Sequence, residues 1–142
     1  MKIWQRPFGP GAIADYSPNT LPASLGIVIT EVGDDYIRAE MPVDERHVQP
    51  YGILHGGASV ALAETLGSIG CAMSVPAGKG CVGLEINANH LAGVRKGEVV
   101  TAVCRPLHRG RTTHVWQKEI FRPDGKLACV SRLTTAVVDR PA

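Results

Sequence analysis

The stretch that decides the fold is HGGASVALAETLGSIGCAM, which runs from His55 to Met73. Its length and lack of proline predict one long helix over residues 56–73, and the run VPAGKG that follows ends it. A helix on a protein surface carries an apolar stripe and a charged face, whereas Glu64 is the single charge here. We therefore expect this helix to be buried on nearly all sides.

The segments on either side of the helix predict β-strands. Two runs rich in Ile and Val, over residues 25–32 and 36–43, flank a turn signal at Gly33-Asp34-Asp35. After the helix, turn-forming runs separate four more strands, predicted over residues 81–91, 98–108, 112–122 and 127–138. This order predicts an α+β fold, in which a curved antiparallel sheet wraps a central helix. The many Gly, Ala and Ser residues of the helix would allow the sheet to approach closely.

Length and composition indicate one ordinary globular domain. The chain has 142 residues, which suits a single domain over 1–142, with an irregular segment over 1–20 that is rich in Pro and Gly. A short helix is predicted near 20–24. The net charge of +2 is too small to indicate binding to nucleic acid or to a membrane. We expect no signal peptide, because the N-terminus lacks a long apolar run.

The cysteines and histidines do not form a recognisable metal or redox motif. The four cysteines lack a C-x-x-C pair and predict reduced core residues in a cytoplasmic protein. The five histidines lack the spacing of metal ligands, and the chain has neither a P-loop nor a dinucleotide-binding glycine pattern. We therefore expect neither a metal nor a cofactor.

Glu64 is the first candidate for chemistry. Burying a carboxylate is costly unless partners satisfy it, and burial raises its pKa from a usual value of about 4.3. A carboxylate shifted in this way is a better base near neutral pH. Ser68 lies four residues further on, on the same helix face, within reach as a hydrogen-bonding partner. An exposed Glu64 at a subunit edge, or one in a structural ion pair, is an equally open interpretation.

The start of the helix is the second candidate. His55-Gly56-Gly57 would place free backbone N–H groups and the positive end of the helix dipole at one point, where an anion or a developing oxyanion binds. Gln49, in the preceding loop, offers an amide that could orient a carbonyl group or a water molecule. Taken singly, these features also fit a plain helix start and a polar loop residue.

A basic section is the third candidate. Residues 95–122 contain seven Lys or Arg residues against two Glu residues. The run PLHRGRTTHVW, residues 106–116, concentrates His108, Arg109, Arg111 and His114 around Gly110. Such a group suits the phosphates of a nucleotide-like ligand, although a solvated strand end would look the same.

Four blocks of the chain together resemble the hotdog-fold acyl-CoA thioesterases. They are QPYGILHGGASVALAETLGS at 49–68, VGLEINANHL at 82–91, PLHRGRT at 106–112 and SRLTTAVV at 131–138. The resemblance covers about residues 21–138. It is strongest to the bacterial 1,4-dihydroxy-2-naphthoyl-CoA hydrolases and to aryl-CoA thioesterases of the 4-hydroxybenzoyl-CoA and phenylacetate types. It implies a homodimer whose sheets join, usually doubled to a tetramer, with active sites at the dimer interface.

The resemblance also implies roles for individual residues. Glu64 would be the catalytic carboxylate, and the Gly56 N–H would stabilise the thioester oxyanion. Gln49 and His55 would shape that pocket, and Ser68 would position water or the carboxylate. The residues that match the CoA-contacting segments are Gly83, His90, Leu91, Ala92, Gly93, Leu107, His108, Arg109, Gly110, Arg111 and Thr112.

The implied activity is hydrolysis of an aromatic acyl-CoA thioester to the free acid and CoA. The acyl group could be of the 1,4-dihydroxy-2-naphthoyl, benzoyl or phenylacetyl type, and the first of these would indicate menaquinone biosynthesis. Glu64 could act as a base on water or attack the thioester directly. The alternatives are a hydratase or dehydratase on the same fold, or a non-catalytic acyl-CoA-binding protein. Ser68, four residues after Glu64, favours hydrolysis.

Overall fold

A six-stranded antiparallel sheet packs along one long helix, as a computed structural model describes for residues 1–16 and 18–140. The strands lie in the order β1-β2-β4-β5-β6-β3, so β1 and β3 form the two edges. The elements in chain order are α1 (Ala12–Tyr16), α2 (Leu21–Ser24), β1 (Val28–Val32), β2 (Ile37–Pro42), α3 (Gly56–Ser74), β3 (Lys79–His90), β4 (Val99–Arg109), β5 (Thr113–Phe121) and β6 (Leu127–Asp139).

The α+β prediction is confirmed, and most predicted boundaries lie within two residues of those observed. The exception is β1, which begins at Val28 instead of residue 25. Leu25 instead caps α2, and Gly26 adopts a left-handed conformation with φ of 71°, so the chain turns before it extends. The segment predicted to be irregular, residues 1–20, contains the five-residue helix α1.

Small residues in α3 let the sheet press against the helix backbone, as the composition predicted. A Cβ atom added at Gly67 would lie 2.7 Å from the Leu133 side chain, and one added at Gly70 would lie 2.8 Å from the Trp116 ring. Both distances are too short for real carbon atoms. The close contacts are made by large side chains of β5 and β6, and they hold the helix against the inner face of the sheet.

The prediction that α3 is buried on nearly all sides is wrong for a single chain. The buried helix residues follow helical spacing along one face: Ser59, Leu62, Ala63, Leu66, Gly67, Gly70, Cys71 and Ser74. On the opposite face, Glu64 and Ser68 are exposed. The reason is that one sheet offers a single inner face, which covers one side of the helix. No helix in the described ranges is long and apolar enough to cross a bilayer.

A fully buried lysine lies in the middle of the sheet. Lys118 on β5 is flanked in the strand register by Cys104 and Ser131, and its Nζ donates a hydrogen bond to the Trp116 carbonyl at 3.1 Å. The neighbouring Ser131 hydroxyl has no partner among residues 1–16 and 18–140. Burial lowers the pKa of Lys118 from 10.5 to about 8. The core therefore contains a cation whose hydrogen-bonding capacity is only partly used.

We predict that replacing this lysine stabilises the protein in a pH-dependent way. Between pH 8 and 10.5 the unfolded chain binds more protons at Lys118 than the folded chain does, so the unfolding free energy of the native protein rises with pH. Lys118→Met removes the buried charge with little change in shape. Its gain in unfolding free energy should reach about 3 kcal/mol at pH 7 and shrink as the pH approaches 10.5.

Urea unfolding at several pH values measures this difference, with Lys126→Met as the matched control because Lys126 is exposed. The control should match the native protein at every pH. If Lys118→Met and the native protein have the same unfolding free energy at pH 7, burial of the ammonium group does not destabilise the protein.

Candidate active site

The open face of α3 forms one wall of a cleft with a volume of about 460 Å³. Ile13 and Leu21, from the N-terminal helices, form part of the opposite wall, and Glu64 and Ser68 are polar groups inside it. We call this space the glutamate cleft. It combines apolar walls with a carboxylate, an arrangement typical of sites for small organic ligands.

The Glu64 carboxylate lies over the edge strand β3. A Cβ atom added at Gly83 would be 3.4 Å from Glu64 Oε1, which is an ordinary contact distance, so the carboxylate lies close beside the Gly83 backbone. Glu64 and Ser68 do not hydrogen-bond to each other, and both are exposed. The burial expected of Glu64 is therefore absent from a single chain, and its exposure matches the alternative of a carboxylate that points to solvent.

The start of α3 is capped in a way that leaves one amide free. His55 has an extended backbone, and its Nδ1 accepts a hydrogen bond from the Gly57 N–H at 2.8 Å. Within the described part of the chain, no acceptor is found for the Gly56 N–H. This group adjoins a second cleft, of about 370 Å³, which Gln49, Ser59 and residues 90–93 also line. We call it the amide cleft.

The neighbours of Gly56 restrict what can approach its amide. A Cβ atom added at Gly56 would be 3.0 Å from His90 Nε2, so the imidazole packs directly over the glycine. Gln49 lines the same cleft, and its side-chain oxygen accepts a hydrogen bond from the Tyr51 N–H. His55 lies outside the cleft lining and acts on the helix start instead.

A third cleft, of about 300 Å³, collects basic side chains and is called the basic cleft. Lys79, Arg109, Arg111 and His114 line it, and Arg109 Nη2 donates a hydrogen bond to the Ser74 carbonyl at 3.4 Å. The predicted grouping of Arg109, Arg111 and His114 is therefore present, and its charge suits an anionic group.

The predicted CoA-contacting residues fall into separate places in one chain. Residues 90–93 line the amide cleft, whereas residues 109–111 line the basic cleft. Gly83 adjoins the Glu64 carboxylate. Leu107, His108 and Thr112 are exposed near the β4–β5 turn and line neither cleft.

The amide and the carboxylate are too far apart to act together within one chain. Gly56 and Glu64 lie eight residues apart on the same helix, a separation of about 12 Å along its axis. An oxyanion donor and a base that serve one carbonyl carbon must both lie about 3 Å from the reacting atoms. A single chain therefore holds the two predicted halves of the site in different clefts.

One residue at the site escaped the sequence prediction. Ser59 is buried and lines the amide cleft, one helical turn beyond Gly56. The signal that could have found it is the i, i+3 spacing from the predicted oxyanion donor. In an apolar run of small residues, that spacing does not distinguish a site serine from a packing serine.

The family of the chain follows from comparison with known proteins. The profile of the Thioesterase superfamily matches residues 51–129, which include all of α3 and most of the residues lining the amide cleft. The chain belongs to the thioesterase superfamily. The resemblance stated from the sequence is thus confirmed, and so is the hotdog fold.

Full-length relatives support the same assignment. This chain is 46% identical over 136 residues to the 1,4-dihydroxy-2-naphthoyl-CoA hydrolase of Escherichia coli K12, and the match covers 96% of this chain and 99% of that enzyme. A crystal structure of a Haemophilus influenzae thioesterase matches with a TM-score of 0.92 and 47% identity, covering 96% of this chain and 95% of that one. A mutant thioesterase from Pseudomonas aeruginosa matches with a TM-score of 0.93 and 45% identity, covering 98% and 100%.

The enzyme class follows from these matches. The thioesterase is a thioester hydrolase, in preference to the hydratase, dehydratase or non-catalytic binding protein kept as alternatives.

We predict that the His55 cap stabilises the helix that carries the site. His55→Ala removes the acceptor of the Gly57 N–H and should lower the unfolding free energy by about 1 kcal/mol. His55→Asn supplies another capping acceptor and should retain most of the stability. Thermal and urea unfolding measure both variants. Equal losses for Ala and Asn would mean that the ring acts through packing instead of capping.

Proposed function

We propose that this thioesterase hydrolyses an aromatic acyl-CoA thioester, with 1,4-dihydroxy-2-naphthoyl-CoA as the first candidate. Support for this substrate is the identity of 46% to an E. coli enzyme with that name, over nearly the full length of both chains. Benzoyl- and phenylacetyl-type thioesters are the next candidates. With the first substrate, the enzyme would act in menaquinone biosynthesis, in the cytoplasm.

The mechanism rests on one observation: the two groups expected to act on the thioester lie eight residues apart on α3 and border different clefts. The Gly56 N–H is free at the amide cleft, and the Glu64 carboxylate is exposed over the edge strand β3. Within one chain, the amide and the carboxylate are too far apart to act on the same thioester. A second copy, placed so that its amide cleft meets the glutamate cleft, would complete the site.

The edge strand β3 is the surface on which such a copy would dock. It is an unpaired sheet edge, and Val82 and Leu84 on it are exposed. Long edges with apolar side chains are normally covered, because they otherwise invite uncontrolled pairing. Pairing of β3 with a second β3 would join two sheets and cover Glu64. We propose this homodimer as the functional unit, with a tetramer formed by two such dimers.

The proposed chemistry begins with polarisation of the thioester carbonyl. The Gly56 N–H donates a hydrogen bond to the carbonyl oxygen as it gains negative charge, and the helix N-terminus reinforces this donor. A single donor of this kind contributes about 3 kcal/mol to the transition state. Gln49 and Ser59 border the same space and would orient the acyl group or a water molecule.

Glu64 provides the second half of the reaction in one of two ways. It accepts a proton from water as the water attacks the carbonyl carbon, or it attacks that carbon itself and forms an anhydride that water then cleaves. Both routes release CoA as the thiol and the acyl group as the acid. Ser68 lies one turn further along the same cleft, where its hydroxyl would hold the water or the carboxylate.

The CoA portion would lie along the remaining predicted residues. Residues 90–93 would border the pantetheine arm at the amide cleft, and Gly83 would leave space beside the carboxylate. Arg109 and Arg111, with Lys79, would neutralise phosphate groups at the basic cleft. Leu107, His108 and Thr112 would contact the nucleotide from the adjoining turn.

We predict that Glu64→Gln lowers kcat for thiol release by at least about 10²-fold, because glutamine neither accepts the proton nor attacks the carbonyl. The matched control is Glu40→Gln on β2, an exposed glutamate that lines none of the three clefts and lies outside the proposed interface strand. The control should keep native turnover. Thiol release is followed with a chromogenic thiol reagent, on 1,4-dihydroxy-2-naphthoyl-, benzoyl-, phenylacetyl- and hexanoyl-CoA.

The panel of four thioesters tests the proposed substrate and the proposed catalytic residue independently. The aryl thioesters should exceed hexanoyl-CoA in kcat/KM by about tenfold or more. If kcat/KM for hexanoyl-CoA equals that for the aryl thioesters, the proposal of an aromatic substrate is wrong, whereas the proposed role of Glu64 is unaffected. Native turnover by Glu64→Gln on every thioester would reject Glu64 as the catalytic group.

A further inference from the structure

The turn between β5 and β6 carries a side-chain ion pair that none of the proposed reaction steps uses. Arg122, just after β5, donates two hydrogen bonds to the Asp124 carboxylate, from Nε at 3.2 Å and from Nη2 at 2.5 Å. The Lys126 N–H donates to Asp124 Oδ1 at 3.0 Å, and the Arg122 N–H donates to the Lys126 carbonyl at 2.9 Å. The carboxylate and the turn therefore hold the guanidinium in one orientation.

The remaining nitrogen of this guanidinium reaches one wall of the amide cleft. Residues 90–94 line that side of the cleft, and we call this segment the cleft wall. Arg122 Nη1 donates a hydrogen bond to the Gly93 carbonyl at 3.3 Å. Among residues 1–16 and 18–140, no other side chain hydrogen-bonds to the cleft wall. Because Arg122 and Asp124 do not line the cleft themselves, they act on its wall from behind.

Main-chain hydrogen bonds hold the cleft wall on either side of Gly93. The N–H groups of residues 91–92 both donate to the Ala128 carbonyl, at 2.7 and 3.3 Å. At the other end, the Val94 carbonyl accepts a hydrogen bond from the Leu54 N–H at 2.8 Å, which joins the wall to the loop before α3. The Gly93 carbonyl lies between these two fixed points, and the guanidinium is its hydrogen-bond donor.

We propose that Arg122 is a positioning residue for the CoA thioester, which fixes the Gly93 carbonyl and thereby the cleft wall beside the pantetheine arm. This inference rests on the proposed function, because the wall borders the arm only if the amide cleft holds the thioester. Asp124 orients Arg122 through two bonds and so takes part indirectly. Neither side chain touches the reacting atoms.

The contribution of this contact should fall on substrate binding and leave the chemical step unchanged. His90, whose imidazole packs over Gly56, is the last residue of β3 and pairs with Cys129 of β6. Loss of the guanidinium therefore frees the wall at Gly93 without moving the ring beside the amide donor. An interaction that stabilises the bound substrate and the transition state equally changes KM and leaves kcat as it was.

The same ion pair should contribute little to the stability of the fold. The side chains of Arg122 and Asp124 are 29% and 54% exposed, and exposed pairs contribute little to the free energy of unfolding. The hydrogen bond from Arg122 lowers the pKa of Asp124 from 3.8 to about 2, so the carboxylate is ionised near neutral pH. A positioning role is thus separable from a role in folding.

Thioesters of decreasing length test the proposal on the full chain. The native protein and Arg122→Ala are assayed by thiol release on the CoA, pantetheine and N-acetylcysteamine thioesters of one aryl acid, the one with the highest kcat/KM in the panel above. On the first two, Arg122→Ala should raise KM about tenfold and keep kcat within about twofold. N-acetylcysteamine lacks most of the pantetheine arm, so its thioester should have the same kcat/KM in both proteins.

Two further variants separate positioning from general damage to the protein. Arg122→Lys keeps a donor for the Gly93 carbonyl but cannot hold Asp124 with two bonds, so it should recover part of the lost affinity. Arg38→Ala is the matched control, because Arg38 also forms an ion pair, with Glu31, and lines none of the three clefts. It should match the native protein on all three substrates.

The outcomes distinguish this proposal from the proposed function. An unchanged KM for the CoA thioester, or an equal fall in kcat/KM on all three substrates, would overturn the positioning role and leave thioester hydrolysis standing. If the native protein releases thiol from no aryl thioester, the proposed function fails and the positioning role fails with it. Where Arg122→Ala does not fold, Arg122→Lys decides the matter, because it should raise KM on the two longer substrates only.

Discussion

The contact on which the structure depends is that of α3 with the inner face of the sheet. Gly67 and Gly70 have no side chains where Leu133 and Trp116 press against the helix, and a single added carbon at either position would clash. This contact fixes both the height and the rotation of the helix above the sheet. The rotation directs Ser59, Leu62 and Leu66 inward and leaves Glu64 on the open face, over Gly83 of β3.

One fixed helix therefore performs two tasks at different points. Its first turn offers a free amide at Gly56, because His55 caps the next residue instead. Its middle offers a carboxylate at Glu64, about 12 Å further along. Both groups are held by a packed helix, which is the rigidity that a catalytic site needs. Since the helix cannot bend to bring them together, we propose that a second copy of the chain closes the distance.

The sequence predicted the fold well where local chemistry decides it. The start of α3 and the turn at Gly33-Asp34-Asp35 follow from glycine and polar residues at their ends, and the turn-forming runs between the strands predicted β4, β5 and β6. The environment of Glu64 was harder to predict, because a helix face exposed to solvent and a helix face covered by a second subunit can have the same composition. Lys118 was counted among the seven basic residues of the section 95–122, although its side chain is buried on an inward-facing strand position.

Subunit mixing tests the central claim of a site shared between two chains. Gly56→Pro removes the amide donor at the first helical position, after a residue that is already extended, although its ring also requires the His90 imidazole to move; Glu64→Gln removes the carboxylate. Each variant alone should be nearly inactive. After the two are dissociated, mixed equally and reassociated, half of the dimers should be mixed, each with one intact site, and activity should return to about a quarter of the native value. If the mixture stays as inactive as the separate variants, the amide and the carboxylate do not come from different chains.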